Sequence, residues 1–143
     1  MTHRDPGRDA LMTLAREAMA KAYAPYSGYS VGAALECEDG QRYAGCNVES
    51  ASSPAGLCAE RSALAAAVGA GHRRFRRIAI CCSEVRPAAP CGVCRQALIE
   101  FGDIEVVSEG SKGETCTWTL SELLPDAFTL PPRAPHSPSA APA

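Results

Sequence analysis

The chain has 143 residues and a mass of 15.0 kDa, enough for one domain with a continuous core and too little for two. Hydrophobic residues make up 46% and charged residues 21%, a globular balance, and no apolar run approaches the roughly 18 residues needed to cross a bilayer. A membrane span is excluded. With a formal net charge of -2 the chain has no electrostatic grip on a polyanion, whose binding draws mainly on phosphate neutralisation, so nucleic acid is a poor partner.

In chain order, Asp5-Pro6 reads as a cap and first helical residue, after which Leu11, Leu14, Ala15, Ala18, Met19 and Ala22 recur at helical spacing until Pro25 stops them. The period changes to two over residues 30–37, with Val31, Ala33, Leu35 and Cys37 on one face, and Asp39-Gly40 turns the chain into a second strand over 41–46. Residues 58–68, rich in Ala and Leu and closed by Gly69 and Gly71, read as a helix. The basic cluster His72-Arg73-Arg74-Phe75-Arg76-Arg77 is expected to be a solvated connection. A continuous apolar run over 78–82 suits a strand covered on both faces.

Residues 91–101 place Val93, Ala97, Leu98 and Phe101 on one helical stripe ended by Gly102, and further strands are expected over 104–108 and 115–120. This order predicts an α/β fold with three layers, α/β/α, around a mixed sheet of five strands. A single domain is expected over residues 1–130, with a disordered tail rich in Pro, Ala and Ser over 131–143. No internal repeat is visible. Residues 1–8 are polar and show no secretory pattern, so the cytoplasm is the expected compartment.

Eight cysteines without a secretory signal point to reduced thiols, metal ligation or burial. The informative constellation is Cys58-Ala59-Glu60 with Pro90-Cys91-Gly92-Val93-Cys94. Each half is expected to open a helix, where the dipole favours thiolate charge. Cys58, Cys91 and Cys94 can then share one zinc ion per chain, and three sulfurs leave the fourth tetrahedral position open for water, as in a catalytic site. Glu60, two residues past the first ligand, can face that position as a proton carrier. Three thiolates overcharge the ion, so Arg61 is expected to donate to the sulfurs, steadied by Gln96. Cys37, Cys46, Cys81, Cys82 and Cys116 lie on strand patterns and read as buried apolar cysteines, and His3, His72 and His136 lie outside the motifs and are not expected to be ligands.

With both halves in view, the chain resembles the small homotetrameric cytidine deaminases from its first helix to about Phe128. Pro25-Tyr26-Ser27, Val31-Gly32-Ala33-Ala34, Gly45-Cys46-Asn47-Val48-Glu49, Cys94-Arg95-Gln96 and Leu123-Leu124-Pro125 occur in that family's order and spacing. The resemblance implies hydrolytic deamination of a free pyrimidine nucleoside in pyrimidine salvage. It implies that Asn47 and Glu49 hold the ribose hydroxyls and that Ala59 contacts substrate. It implies further that Tyr29, where Phe is usual, stacks on the base, and that Phe128 reaches a neighbouring subunit's site. The chain departs from the family in carrying Ser50 where Asn is usual and Ser53 where Tyr is usual, which bears on substrate range and on the tetramer.

Rival readings make different demands. A deaminase of a cytosine nucleoside antibiotic such as blasticidin S shares the fold and zinc site but resembles the chain less around Asn47-Val48-Glu49. An editor of bases within nucleic acid calls for a basic surface. A redox dithiol or a non-catalytic zinc domain has no need of Glu60.

Overall fold

Asp5 starts the first helix, as its sequence predicts: one carboxylate oxygen accepts from the N–H groups of Gly7 at 3.0 Å and Arg8 at 3.3 Å, with Pro6 at the first helical position. The computed structural model describes residues 4–133. His3, His136 and residues 134–143 of the expected tail lie outside the described residues, while 131–133 are exposed and without regular structure.

The elements follow as α1 (Pro6–Met19), β1 (Val31–Cys37), β2 (Arg42–Cys46), α2 (Ala59–Gly69), β3 (Phe75–Cys82), α3 (Gly92–Ile99), β4 (Glu105–Glu109), β5 (Thr115–Thr119) and α4 (Leu120–Leu123). The five strands form one sheet in the order β2-β1-β3-β4-β5. Only β3 and β4 run parallel, with α3 crossing between them; the other pairs are antiparallel, and the sheet is mixed as expected.

Two apolar clusters lie on the two faces of the sheet. Leu11, Met12 and Ala15 of α1 cover Ala34, Ala79 and Val107, while Ala63, Leu64 and Ala67 of α2, with Leu98 of α3, cover Ala33, Leu35, Ile78, Ile80 and Val106. That is the α/β/α arrangement. Gly32 and Gly45 set how closely the helices dock: a Cβ on Gly32 would stand 2.0 Å from the Ala15 carbonyl oxygen, and one on Gly45 would stand 2.5 Å from the Ala63 nitrogen. Both positions therefore require hydrogen as the side chain.

Several expectations need correction. β1 is buried along its whole length, because Gly32 and Ala34 lie under α1 while Val31, Ala33, Leu35 and Cys37 face the other cluster, so its inner face is not its only covered one. The basic cluster is not a loop throughout. β3 begins at Phe75, which is buried against Phe101, and takes Arg77 into the sheet, where its guanidinium lies 2.6 Å from Asp5 and 3.4 Å from the buried Glu36. Those carboxylates make burial of Arg77 tolerable. Val93 is exposed and not part of an apolar stripe, since the short α3 buries only Cys94 and Leu98. Cys116 is exposed on the edge strand β5, unlike Cys37, Cys81 and Cys82, which are buried.

Candidate active site

Two helix N-termini converge at one end of the sheet. Cys58 is the N-cap residue of α2 and Cys91 that of α3, both with extended backbone, and neither side chain is used to cap its helix. Their sulfurs are free for another role and lie 3.7 Å apart. Cys94, one turn into α3, is fully buried, and the three sulfurs lie within 4.8 Å of one another. Zinc–sulfur bonds of about 2.3 Å give a tetrahedral edge of about 3.8 Å, so the Cys58–Cys91 separation already fits a shared ion. The first-turn N–H groups of both helices add positive potential at the sulfurs.

Glu60 follows in the first turn of α2 and is only 5% exposed. Its Oε2 lies 3.7 Å from the Cys94 sulfur. Burial pushes the Glu60 carboxyl above the ordinary range, partly opposed by its backbone N–H, the Cys94 thiol and the Arg61 charge. The thiols differ. Burial raises Cys58 and, joined by the Glu60 charge, raises Cys94; at Cys91 burial also acts upward but is outweighed by N–H groups of Cys94 and Val93 and by the other two thiols. The Arg61 guanidinium stands 3.8 Å from the Cys58 sulfur.

The wall beside the cysteines is built by residues 47–58. Val48 exchanges two backbone hydrogen bonds of 2.9 Å with Leu57, and strand alternation then sends Asn47 and Glu49 to the same side. With Ser50, Ser53, Cys58 and Arg61 they line one hollow of about 300 Å³. Asn47 is also a brace: its Oδ1 accepts from Val31 N–H at 2.9 Å and its Nδ2 donates to the Tyr29 carbonyl at 2.8 Å. Glu49 Oε1 accepts from the N–H groups of Tyr26 and Ser27, both at 3.1 Å, and the Ser27 bond leads in holding its carboxyl below the usual range.

Not every expected residue enters this hollow. Tyr29 lines a neighbouring one with Arg86 and Trp118; burial, then the Cys82 thiol, push its hydroxyl well above the usual phenol range. Phe128 is 69% exposed. Gln96 does not steady Arg61: its amide donates to the Phe128 carbonyl at 2.8 Å, because its place on α3 aims it at the chain that follows α4. Ala59 is fully buried at the start of α2. Arg95 carries a role the sequence did not disclose. It donates to the carbonyls of Pro90 at 2.7 Å and Leu123 at 2.9 Å, tying the cysteine turn to α4; the only sequence signal was its place inside Cys94-Arg95-Gln96.

A sequence model of the cytidine and deoxycytidylate deaminase zinc-binding region matches residues 7–109. The chain belongs to this deaminase family. Zinc is accordingly its metal, and the Cys58, Cys91 and Cys94 group is suited to hold it. Similar relatives include cytidine deaminases of Sporosarcina psychrophila, 41% identical over 85% of this chain and 90% of that one, and of Halalkalibacterium halodurans, 43% identical over 85% and 94%. Among solved structures, the cytidine deaminase of Burkholderia pseudomallei superimposes with a TM-score of 0.81 at 47% identity, covering 90% of this chain and all (100%) of that one. The deaminase of Mycobacterium tuberculosis gives 0.75 at 37%, covering 88% and 100%. The deaminase fold is thus the three-layer arrangement described above. No helix among the described residues is long and apolar enough to cross a membrane.

Proposed function

We propose that this deaminase hydrolyses cytidine and 2′-deoxycytidine to uridine and 2′-deoxyuridine with release of ammonia, serving pyrimidine salvage in the cytoplasm. The observation that carries this reading is a single hollow whose lining runs from Asn47 and Glu49 to Cys58 and Arg61. The proposed sugar-reading groups and Cys58, the first of the metal cysteines, share one wall, as a nucleoside substrate requires. Cys58, Cys91 and Cys94 would hold the zinc, which when bound supplies a Lewis acid that makes water acidic enough to ionise near neutral pH.

Glu60 takes a proton from the water and delivers it to ring nitrogen N3 as the water oxygen bonds to C4. It then carries the second water proton to the exocyclic nitrogen; the C4–N bond breaks, ammonia leaves, and C4 keeps the oxygen as a carbonyl. One water is consumed for one ammonia released. The raised pKa that burial gives Glu60 suits a group that must accept and return a proton. This use of a glutamate that is not a ligand is the established pattern for zinc deaminases.

Glu49 has Oε2 left for a ribose hydroxyl after Oε1 is committed to two backbone donors. Asn47 has a second Nδ2 proton. The Ala59 N–H, in the first turn of α2 and without a helical acceptor, would donate to the ring carbonyl once substrate uncovers this buried residue. Tyr29 lines a separate hollow, so its stacking on the base requires its ring to turn toward Cys58. Phe128, exposed here, reaches a neighbouring site in a homotetramer. Arg61 tempers the thiolate charge through Cys58.

A second reading rests on Ser50 and Ser53, small residues lining the same hollow, which leave room for a modified cytidine or a blasticidin S-like antibiotic. Steady-state turnover of cytidine, 2′-deoxycytidine and blasticidin S decides between them. The first reading expects kcat/KM to be highest for the two simple nucleosides; a higher value for the antibiotic would replace it with the second.

A further inference from the structure

A second set of metal-binding donors lies at the end of α2 opposite Cys58. Cys37 closes β1, Asp39 sits in the turn into β2, and His72 follows α2, and one donor atom from each lies within 4.8 Å of the other two. We propose that Cys37, Asp39 and His72 form a second metal site, for a zinc-like divalent transition ion, with a structural role independent of the catalytic cluster.

The donors are held in place by their surroundings. The Cys37 N–H donates to the Gln41 carbonyl at 2.8 Å and the Gly40 N–H to the Cys37 carbonyl at 3.0 Å, which fixes the turn. Gln41 N–H donates to Asp39 Oδ1 at 3.0 Å, leaving Oδ2 at 3.6 Å from His72 Nδ1. His72 is tethered by its own N–H to the Ala67 carbonyl at 3.0 Å, and its ring meets that of Tyr43 at 5.2 Å and 51°. Zinc bonds of about 2.0–2.2 Å to nitrogen and oxygen imply an N–O edge of about 3.4 Å. The Asp39–His72 pair is close to that spacing, and the sulfur, within 4.8 Å of both donor atoms, closes the remainder by a movement of at most about 1.3 Å.

The donor types also select an ion. Thiolate, imidazole and carboxylate together suit zinc or cobalt and not magnesium or calcium, which take oxygen donors. One thiolate and one carboxylate neutralise a divalent cation, so Arg73 and Arg74, on the rim of the adjoining hollow, face a neutral complex and do not repel it. That hollow, about 330 Å³ and lined by Asp39 and His72, provides access and space for a water as fourth donor. The negative end of the α2 dipole adds to the attraction. The alternative, an Asp39–His72 contact beside a Cys37 that serves only as a member of the apolar core, is what the titration below separates from a metal site. An ion here would clip the β1–β2 turn to the α2–β3 connection and favour the folded state.

The test is a Co2+ titration of the full-length, zinc-loaded chain, followed by the thiolate-to-cobalt charge-transfer absorption, by metal analysis after desalting and by thermal unfolding. The parent is expected to take one further equivalent per chain and to show a raised Tm. Cys37→Ser and His72→Gln should each abolish the second equivalent and the Tm rise while keeping the first zinc and cytidine turnover. Cys116→Ser, which removes an exposed thiol elsewhere, should keep both equivalents. A parent that takes no second equivalent overturns the site, as does its retention by folded His72→Gln or its loss in Cys116→Ser.

Discussion

Glu60 is a carboxyl in a nearly closed environment, 3.7 Å from a cysteine sulfur and without a claim on any of the three sulfurs as ligand. Replacing it with Gln keeps size and shape but removes proton transfer. Glu60→Gln is therefore expected to bind zinc as the parent does and to lose about 10²- to 10⁴-fold in kcat, read from metal analysis beside steady-state rates. Cys91→Ala removes one of three donors, and both zinc and activity should fall together. For Glu49→Ala the expected signature is a higher KM for cytidine with a smaller change in kcat, because the carboxylate faces the sugar and not the reacting carbon; an unchanged KM would reject the ribose role. The grouping of Cys58, Cys91 and Cys94 was legible in the sequence because these cysteines sit at fixed spacings from helix starts. Gln96 and Arg95 were not, since which carbonyl a long polar side chain meets depends on where α4 and the chain after it dock, which the Thr119–Glu122 capping box that starts α4 does not specify.

At the scale of elements, α1 is secured to the sheet by Gly32 below it and by Asp5 at its start. Gly32→Ala forces a methyl group to within 2.0 Å of the Ala15 carbonyl oxygen, and the helix can yield only by lifting off β1. A loss of about 1–3 kcal/mol or more is expected, measured by urea unfolding. Asp5 has its carboxyl held below the usual range, first by the Arg77 hydrogen bond and then by the Arg8 N–H. With the folded pKa below the unfolded one, its stabilisation is complete above the ordinary carboxylate pKa and disappears as pH falls through the folded value. Asp5→Asn should therefore cost stability at neutral pH, and its unfolding curve should converge on that of the parent in acid; a constant gap at all pH values would reject this account. Strand and helix identities followed from periodicity. The extension of β3 back to Phe75 did not, because Arg76 and Arg77 read as solvent residues until Glu36 and Asp5 are seen beside them.

At the scale of the whole molecule, the family and the layered fold could be read from the order of elements and the paired cysteine motifs. The surface could not, since exposure depends on which chains meet. Val93, Val48 and Phe128 are exposed apolar residues in the single chain, which fits their burial in the proposed homotetramer. Light scattering behind size exclusion should give a mass about four times the 15.0 kDa of the chain, and Phe128→Ser should shift the mass downward or raise KM. A parent that runs as a monomer with full activity would remove the tetramer from the account. The most direct measurement of the central claim is ammonia release and loss of cytosine absorbance from cytidine by the zinc-loaded chain beside its Glu60→Gln variant, each with its zinc content determined. The account predicts stoichiometric uridine and ammonia from the parent and almost none from a variant holding the same zinc; a parent that holds zinc and leaves cytidine untouched, or a variant that turns it over at the parent's rate, would contradict it.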